Sequence, residues 1–168
     1  MAEVDAEFDP GSFPLVAHGR QYEEFSDGQV LVHHWGRTIT ASDNVAFTTA
    51  TCNWNPMHLN ADFAAAHGHP DVVVNPMLVL CAAVGLSVED LSEGGGPFLS
   101  LDDATFHRPV HPGDTITATS TVLSRRESAS RPGTGIVTWH TEVHNQRSEL
   151  VLDYRRTNLV ARAGQGAS

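Results

Sequence analysis

The order of elements in this 168-residue sequence predicts an α+β domain in which an antiparallel sheet wraps around one long helix. Two observations carry that prediction. Met77 to Leu86 is apolar on every face, so a helix there should be buried, and it is far too short to cross a bilayer. Four strand-like stretches then follow in succession, separated by turn signals at Pro112-Gly113-Asp114, Pro132-Gly133 and Asn145 to Ser148.

Along the chain, Gln29 to Thr40 has β-formers in rough alternation and predicts a strand. Ser42 is placed to cap a helix that should end near Asn53, because Pro56 disfavours helical backbone at Asn55. Asn60 can cap a short Ala-rich helix from Ala61 to His67, stopped by Gly68 and Pro70. Asn75 and Pro76 are a favoured cap and first helical residue for the apolar segment. The strands are expected at Phe98–Arg108, Thr115–Ser124, Gly135–Asn145 and Glu149–Arg162. One domain, residues 20–162, is read between an acidic N-terminal tail (1–19) and a small, polar C-terminal tail (163–168).

Composition excludes several classes of partner. Twenty acids face ten bases, all arginine, for a formal net charge of -10. Such a chain repels phosphate backbones and anionic bilayers, so neither nucleic acid nor a membrane surface is expected as a partner. No secretory leader is legible, and neither Cys52 nor Cys81 sits in a C-x-x-C pair. Both are read as reduced thiols of a cytoplasmic protein.

The densest polar constellation is Cys52-Asn53-Trp54-Asn55-Pro56-Met57-His58-Leu59-Asn60, between the first two helices. Within it only His58 can move a proton near neutral pH. Asn53 and Asn55 can orient water or a carbonyl but cannot titrate. The same residues also make a plain turn in which His58 bonds a backbone carbonyl.

The stretch Thr51 to Ala66 resembles the hydratase motif of the MaoC-like dehydratases, the (R)-specific enoyl-CoA hydratase family, roughly G-D-x-N-P-x-H before a short Ala-rich helix. Phe106 to Thr115 (FHRPVHPGDT) looks like the family's strand and turn, and VVVNPMLVL like the entry to its central helix. The resemblance implies a hot-dog fold, usually dimeric. It also implies reversible hydration of a 2-enoyl thioester by the histidine and by an aspartate five residues before it. His58 matches that histidine, whereas the aspartate position holds Asn53. The sequence is similar to the mesaconyl-CoA and itaconyl-CoA hydratase-like branch through Tyr22–Phe25 and Thr121–Val137, and Asn at this position then reads as a feature of that branch. Family members commonly hold the thioester oxygen on a glycine N–H at the start of the central helix. Pro76 has no N–H, so Met77 N–H or the Asn75 side chain is the expected donor.

His58 and Asn53 are therefore the catalytic candidates, with Asn55, Asn75 and Met77 as substrate-binding candidates. Arg125 and Arg126, read as part of a loop with Arg131, are candidates for coenzyme A phosphates. Arg37 or Arg108 is a candidate for a substrate carboxylate. No cofactor and no metal are expected, because the ten histidines show no ligand spacing with Cys or Glu. The expected partners are an acyl-CoA or acyl-carrier-protein substrate and a second copy of the chain. The substrate is read as a CoA ester such as a C5 dicarboxylate of the mesaconyl or itaconyl type. Alternatives are a dehydratase acting on a carrier-bound acyl chain, a hot-dog thioesterase, and a non-catalytic acyl-binding homologue.

Overall fold

The computed structural model describes residues 19–164, so the expected tails fall largely outside the described residues. Six antiparallel strands form one sheet. They are β1 (Val30–Val32), β2 (Arg37–Thr38), β3 (Phe98–Phe106), β4 (Thr115–Glu127), β5 (Thr134–Asn145) and β6 (Leu150–Ala161). The order is β1-β4-β5-β6-β3, with β2 also paired to β4, so β3 forms one edge. Among the described residues the α-helices are α1 (Ala41–Ala50), α2 (Ala61–Ala66) and α3 (Pro76–Leu91).

The strand period of two decides what the sheet wraps. Along β5 every second residue is buried, with Val137, Trp139 and Val143 facing inward. β6 adds Leu152 and Tyr154, and β4 adds Ile116, Ala118 and Val122. α3 lies against this face through Val79, Leu80, Ala83 and Leu91. At the far end Tyr22 lies flat on Gly135, where a Cβ would overlap the ring. This is the sheet-around-a-helix architecture expected from the sequence.

Several local expectations are corrected. The strand read over residues 29–40 is two short strands, Val30–Val32 and Arg37–Thr38, with a bend at His34 between them; His33 sits inward like Leu31 and meets Asp90 and Ser120. The cap of α1 is Thr40, which exchanges hydrogen bonds with Asp43 in a capping box; Ser42 already lies inside the helix. β4 runs three residues beyond the expected end, so Arg125 and Arg126 lie within a strand and not in a loop. α3 is not buried all round: Met77, Cys81 and Val88 leave an exposed apolar stripe. Asn75 caps α3 and Pro76 opens it, as expected.

Candidate functional site

His58 closes a short 3-10 turn, Pro56–His58, whose shape is dictated locally. Asn53 Oδ1 accepts the Asn55 N–H at 3.2 Å, and Asn55 Oδ1 accepts the Met57 N–H at 3.0 Å. The two amides thus brace the turn in the manner of Asx motifs. His58 Nδ1 lies 2.8 Å from Val73 O. A carbonyl only accepts, so Nδ1 carries the proton and Nε2 holds the basic lone pair. Nε2 has no partner among the described residues.

Asn44 of α1 ties this turn to the start of α3. Its Nδ2 donates to His58 O at 2.9 Å, and its Oδ1 accepts the Asn75 N–H at 2.9 Å. Asn44 and Thr48 are fully buried, one turn apart, while the neighbouring Val45 is half exposed. That inverted amphipathic pattern was the sequence signal for Asn44, which sequence reasoning missed.

His58 opens onto a cavity of about 290 Å³ lined by Val73, Val74, Pro76, Val79, Phe106, His107, Arg108, Pro109, Val110 and Val151. The walls are mostly apolar, with His58, His107 and Arg108 as the ionisable groups. A slot of this composition suits an apolar chain carrying a polar reacting group.

The candidate residues are dispersed unevenly around this cavity. His58 lines it, and Asn75 sits between two residues that do. The amides at the start of α3 are largely engaged. Met77 N–H donates to Asn75 Oδ1 at 3.0 Å, and Leu78 and Val79 N–H both donate to Asn75 O. Asn75 Nδ2 has only a long contact to Thr48 Oγ1, 3.5 Å. Asn53 and Asn55 brace the turn without lining the cavity. Arg108 lines it and lies 3.8 Å from Glu149, whereas Arg37 pairs with Asp43 at 2.9 Å. Arg125 lies over the Tyr22 ring, ten positions after Thr115 and so roughly 30 Å along β4 from it. The cavity therefore does not gather Arg125 or Arg126.

Asp114, in the Pro-Gly-Asp-Thr turn near the cavity, accepts from His111 N–H at 2.9 Å and Gln146 Nε2 at 2.6 Å. Burial alone would raise its pKa, but these hydrogen bonds and Arg147 outweigh burial and hold the carboxyl below the usual range. Among the described residues no cluster of three His, Cys, Asp or Glu could hold a metal. None of the described helices is long and apolar enough to cross a membrane.

Comparison with known proteins bears on the family and the fold. The family model described as mesaconyl-CoA hydratase matches residues 15–167. A mesaconyl-CoA hydratase of Haloarcula marismortui is 39% identical over 151 residues, covering 89% of this chain and 42% of that protein. The crystal structure of a MaoC domain protein from Chloroflexus aurantiacus superimposes with a TM-score of 0.83 at 31% identity, covering 89% of this chain and 42% of its own. A Mycobacterium tuberculosis protein with a double hotdog fold gives a TM-score of 0.80 at 25% identity, over 46% of its length. The chain thus spans less than half the length of these relatives.

Proposed function

Because the chain belongs to the mesaconyl-CoA hydratase family, we propose that it catalyses the reversible addition of water to a 2-enoyl-CoA thioester. The observation that carries this reading is His58: one ring nitrogen is tied to Val73 O and the other is free at an apolar cavity. A neutral imidazole so oriented is a general base for water. Nε2 takes a proton as the water oxygen bonds to Cβ, and the electrons of the double bond move through Cα onto the thioester oxygen. Asn75 Nδ2, whose described acceptor is the distant Thr48 Oγ1, is the donor assigned to that oxygen. Asn53, which braces the turn without lining the cavity, acts in this reading by holding His58 in place.

The substrate proposed is a C5 dicarboxylate CoA ester of the mesaconyl type, with Arg108 at the cavity rim as the cation for its free carboxylate. A second copy of the chain is the proposed partner. It would cover the α3 stripe (Met77, Cys81, Val88) and the apolar residues Phe98, Leu99 and Phe106 of the edge strand β3. The double hotdog relative supports this, since one module of this size accounts for about half of it.

The test is incubation of the pure protein with crotonyl-, mesaconyl- and itaconyl-CoA, with products identified by mass and the oligomer measured by sedimentation. A gain of one water, abolished in a folded His58→Ala variant, is expected. Free coenzyme A would indicate a thioesterase, and unchanged thioester a binding protein; either result overturns the reading.

A further inference from the structure

The buried side of α1 is polar. A surface helix normally turns its apolar residues inward. In α1 the fully buried residues are Asn44 and Thr48, while Val45 is half exposed. Burying an amide costs free energy unless its polar atoms are bonded. The partners of Asn44 therefore decide what it is for.

Both sides of its carboxamide are engaged. Nδ2 donates to His58 O at 2.9 Å, and Oδ1 accepts the Asn75 N–H at 2.9 Å. A carbonyl only accepts and a backbone N–H only donates, so these two partners fix which way the amide points. Turned over, it would set oxygen against oxygen and N–H against N–H. Thr48 Oγ1 lies 3.4 Å from Asn44 Oδ1 and 3.5 Å from Asn75 Nδ2, so the hydroxyl stands between the two side chains. The turn that carries His58 meets the approach to α3 twice more. Val73 N–H donates to Met57 O at 3.0 Å, and His58 Nδ1 donates to Val73 O at 2.8 Å. Those two ties end on Val73. The Asn44 bridge ends on Asn75 itself, whose side chain is the proposed oxyanion donor.

Resting on the hydratase reading above, we propose that Asn44 is a positioning residue for that reaction and sets the spacing between His58 and the start of α3. It is buried and does not line the cavity, so it acts through His58 and Asn75 and not on the substrate. Hydration needs the base, the water, Cβ and the thioester oxygen aligned at once. A displacement of about 1 Å in such an arrangement costs on the order of 100-fold in rate. An amide suits the position because it joins two neutral backbone groups of opposite polarity. An ion there would be buried without a counter-charge, and an apolar side chain would leave His58 O and Asn75 N–H unpaired.

Kinetics of two Asn44 variants, with and without His58, test the assignment. Asn44→Leu keeps the approximate volume and removes the bridge. Per folded molecule, below the melting transition, it is expected to lower kcat about 10- to 100-fold and to change KM by less than about twofold. In a His58→Ala background the same substitution should alter the residual kcat by less than about twofold, because the spacing of an absent base has no consequence. A merely structural defect would lower both backgrounds by the same factor. Asn44→Asp serves if the leucine variant fails to fold. It keeps the acceptor for Asn75 N–H and changes only the group that faces His58 O. Its carboxyl donates to that oxygen while protonated and opposes it once ionised, so kcat should fall with rising pH along a limb that wild type lacks. Wild-type kcat in folded Asn44→Leu, equal losses with and without His58, or wild-type kcat and pH profile in Asn44→Asp each overturn the proposal and leave the hydratase reading intact. Wild-type protein that hydrates no enoyl thioester overturns both.

Discussion

The two ends of α3 each hold a histidine in a polar network, and they differ in what is left over. At the N-terminal end His58 has one nitrogen engaged and one free at a cavity. At the C-terminal end His33 has both engaged: Nδ1 to Asp90 Oδ2 at 2.7 Å and Nε2 to Ser120 Oγ at 2.8 Å, with Ser120 in turn 2.8 Å from Thr141 Oγ1. The His33 side chain is fully buried. Asp90, His33 and Ser120 reproduce the order of a catalytic triad, yet Ser120 is completely enclosed and cannot reach a substrate. A histidine at an active site is recognised by its unspent nitrogen; one with every valence satisfied is a structural clamp.

The same contrast extends to the charges. Near the C-terminal end Arg156 is buried, with its guanidinium donating to Asn158 Oδ1, Ser87 Oγ and Ser92 Oγ, and no described carboxylate pairs with it. Desolvation lowers its pKa. That end is closed by saturated hydrogen bonding. The N-terminal end is open and mostly apolar.

Exchanging the two histidines for alanine should separate activity from stability. His58→Ala is expected to reduce kcat about 10³-fold, roughly 4 kcal/mol of transition-state stabilisation, followed as loss of enoyl absorbance. Its melting temperature should fall only slightly, because one hydrogen bond is lost. His33→Ala should do the reverse. It leaves Asp90 and Ser120 short of partners and should cost about 2–4 kcal/mol, read in thermal melts as a drop of roughly 5–15 °C. Per folded molecule its turnover should match wild type. Comparable loss of activity in both variants would break the comparison, since the C-terminal network would then be communicating with the site.

What the sequence revealed follows the range of the interactions. The Asn75-Pro76 start of α3 and the Asn55 brace are side-chain contacts to backbone two residues away, so composition alone predicts them. His58 was legible because its motif is contiguous. Asn44 was not, because it matters through partners 14 and 31 residues distant. The role of His33 as a clamp was hidden for the same reason: its partner Asp90 is 57 residues on. The exposed stripe on α3 was masked by its composition, which is apolar whether the face meets the sheet or a second protein.

Asp114, in the Pro-Gly-Asp-Thr turn, has a lowered pKa that gives a smaller effect with a defined pH signature. A carboxyl depressed in the folded state stabilises it above the unfolded value, about 3.9, and that stabilisation is lost as pH falls through the folded value. Asp114→Asn should therefore cost about 1–2 kcal/mol at pH 7, and the difference from wild type should shrink in urea titrations near pH 3. An equal deficit at both values would mean that the lost geometry matters and the charge does not.

The smallest effect lies at the turn before His58. Cys52 has φ of +53°, left-handed backbone that a residue with a Cβ adopts at a cost of about 1–2 kcal/mol. Its side chain is exposed, so nothing packed is lost by removing it. Glycine meets no such penalty but gives up about 0.5–1 kcal/mol of extra unfolded-state freedom. Cys52→Gly should therefore gain a few tenths to about 1 kcal/mol, seen as a melting temperature higher by about 1–4 °C. The brace from Asn53 to Asn55 would persist, so turnover should not change. If stability rises while kcat falls, the strain at Cys52 is helping to aim the His58 turn, and the open end of α3 draws on local strain that the closed end does without.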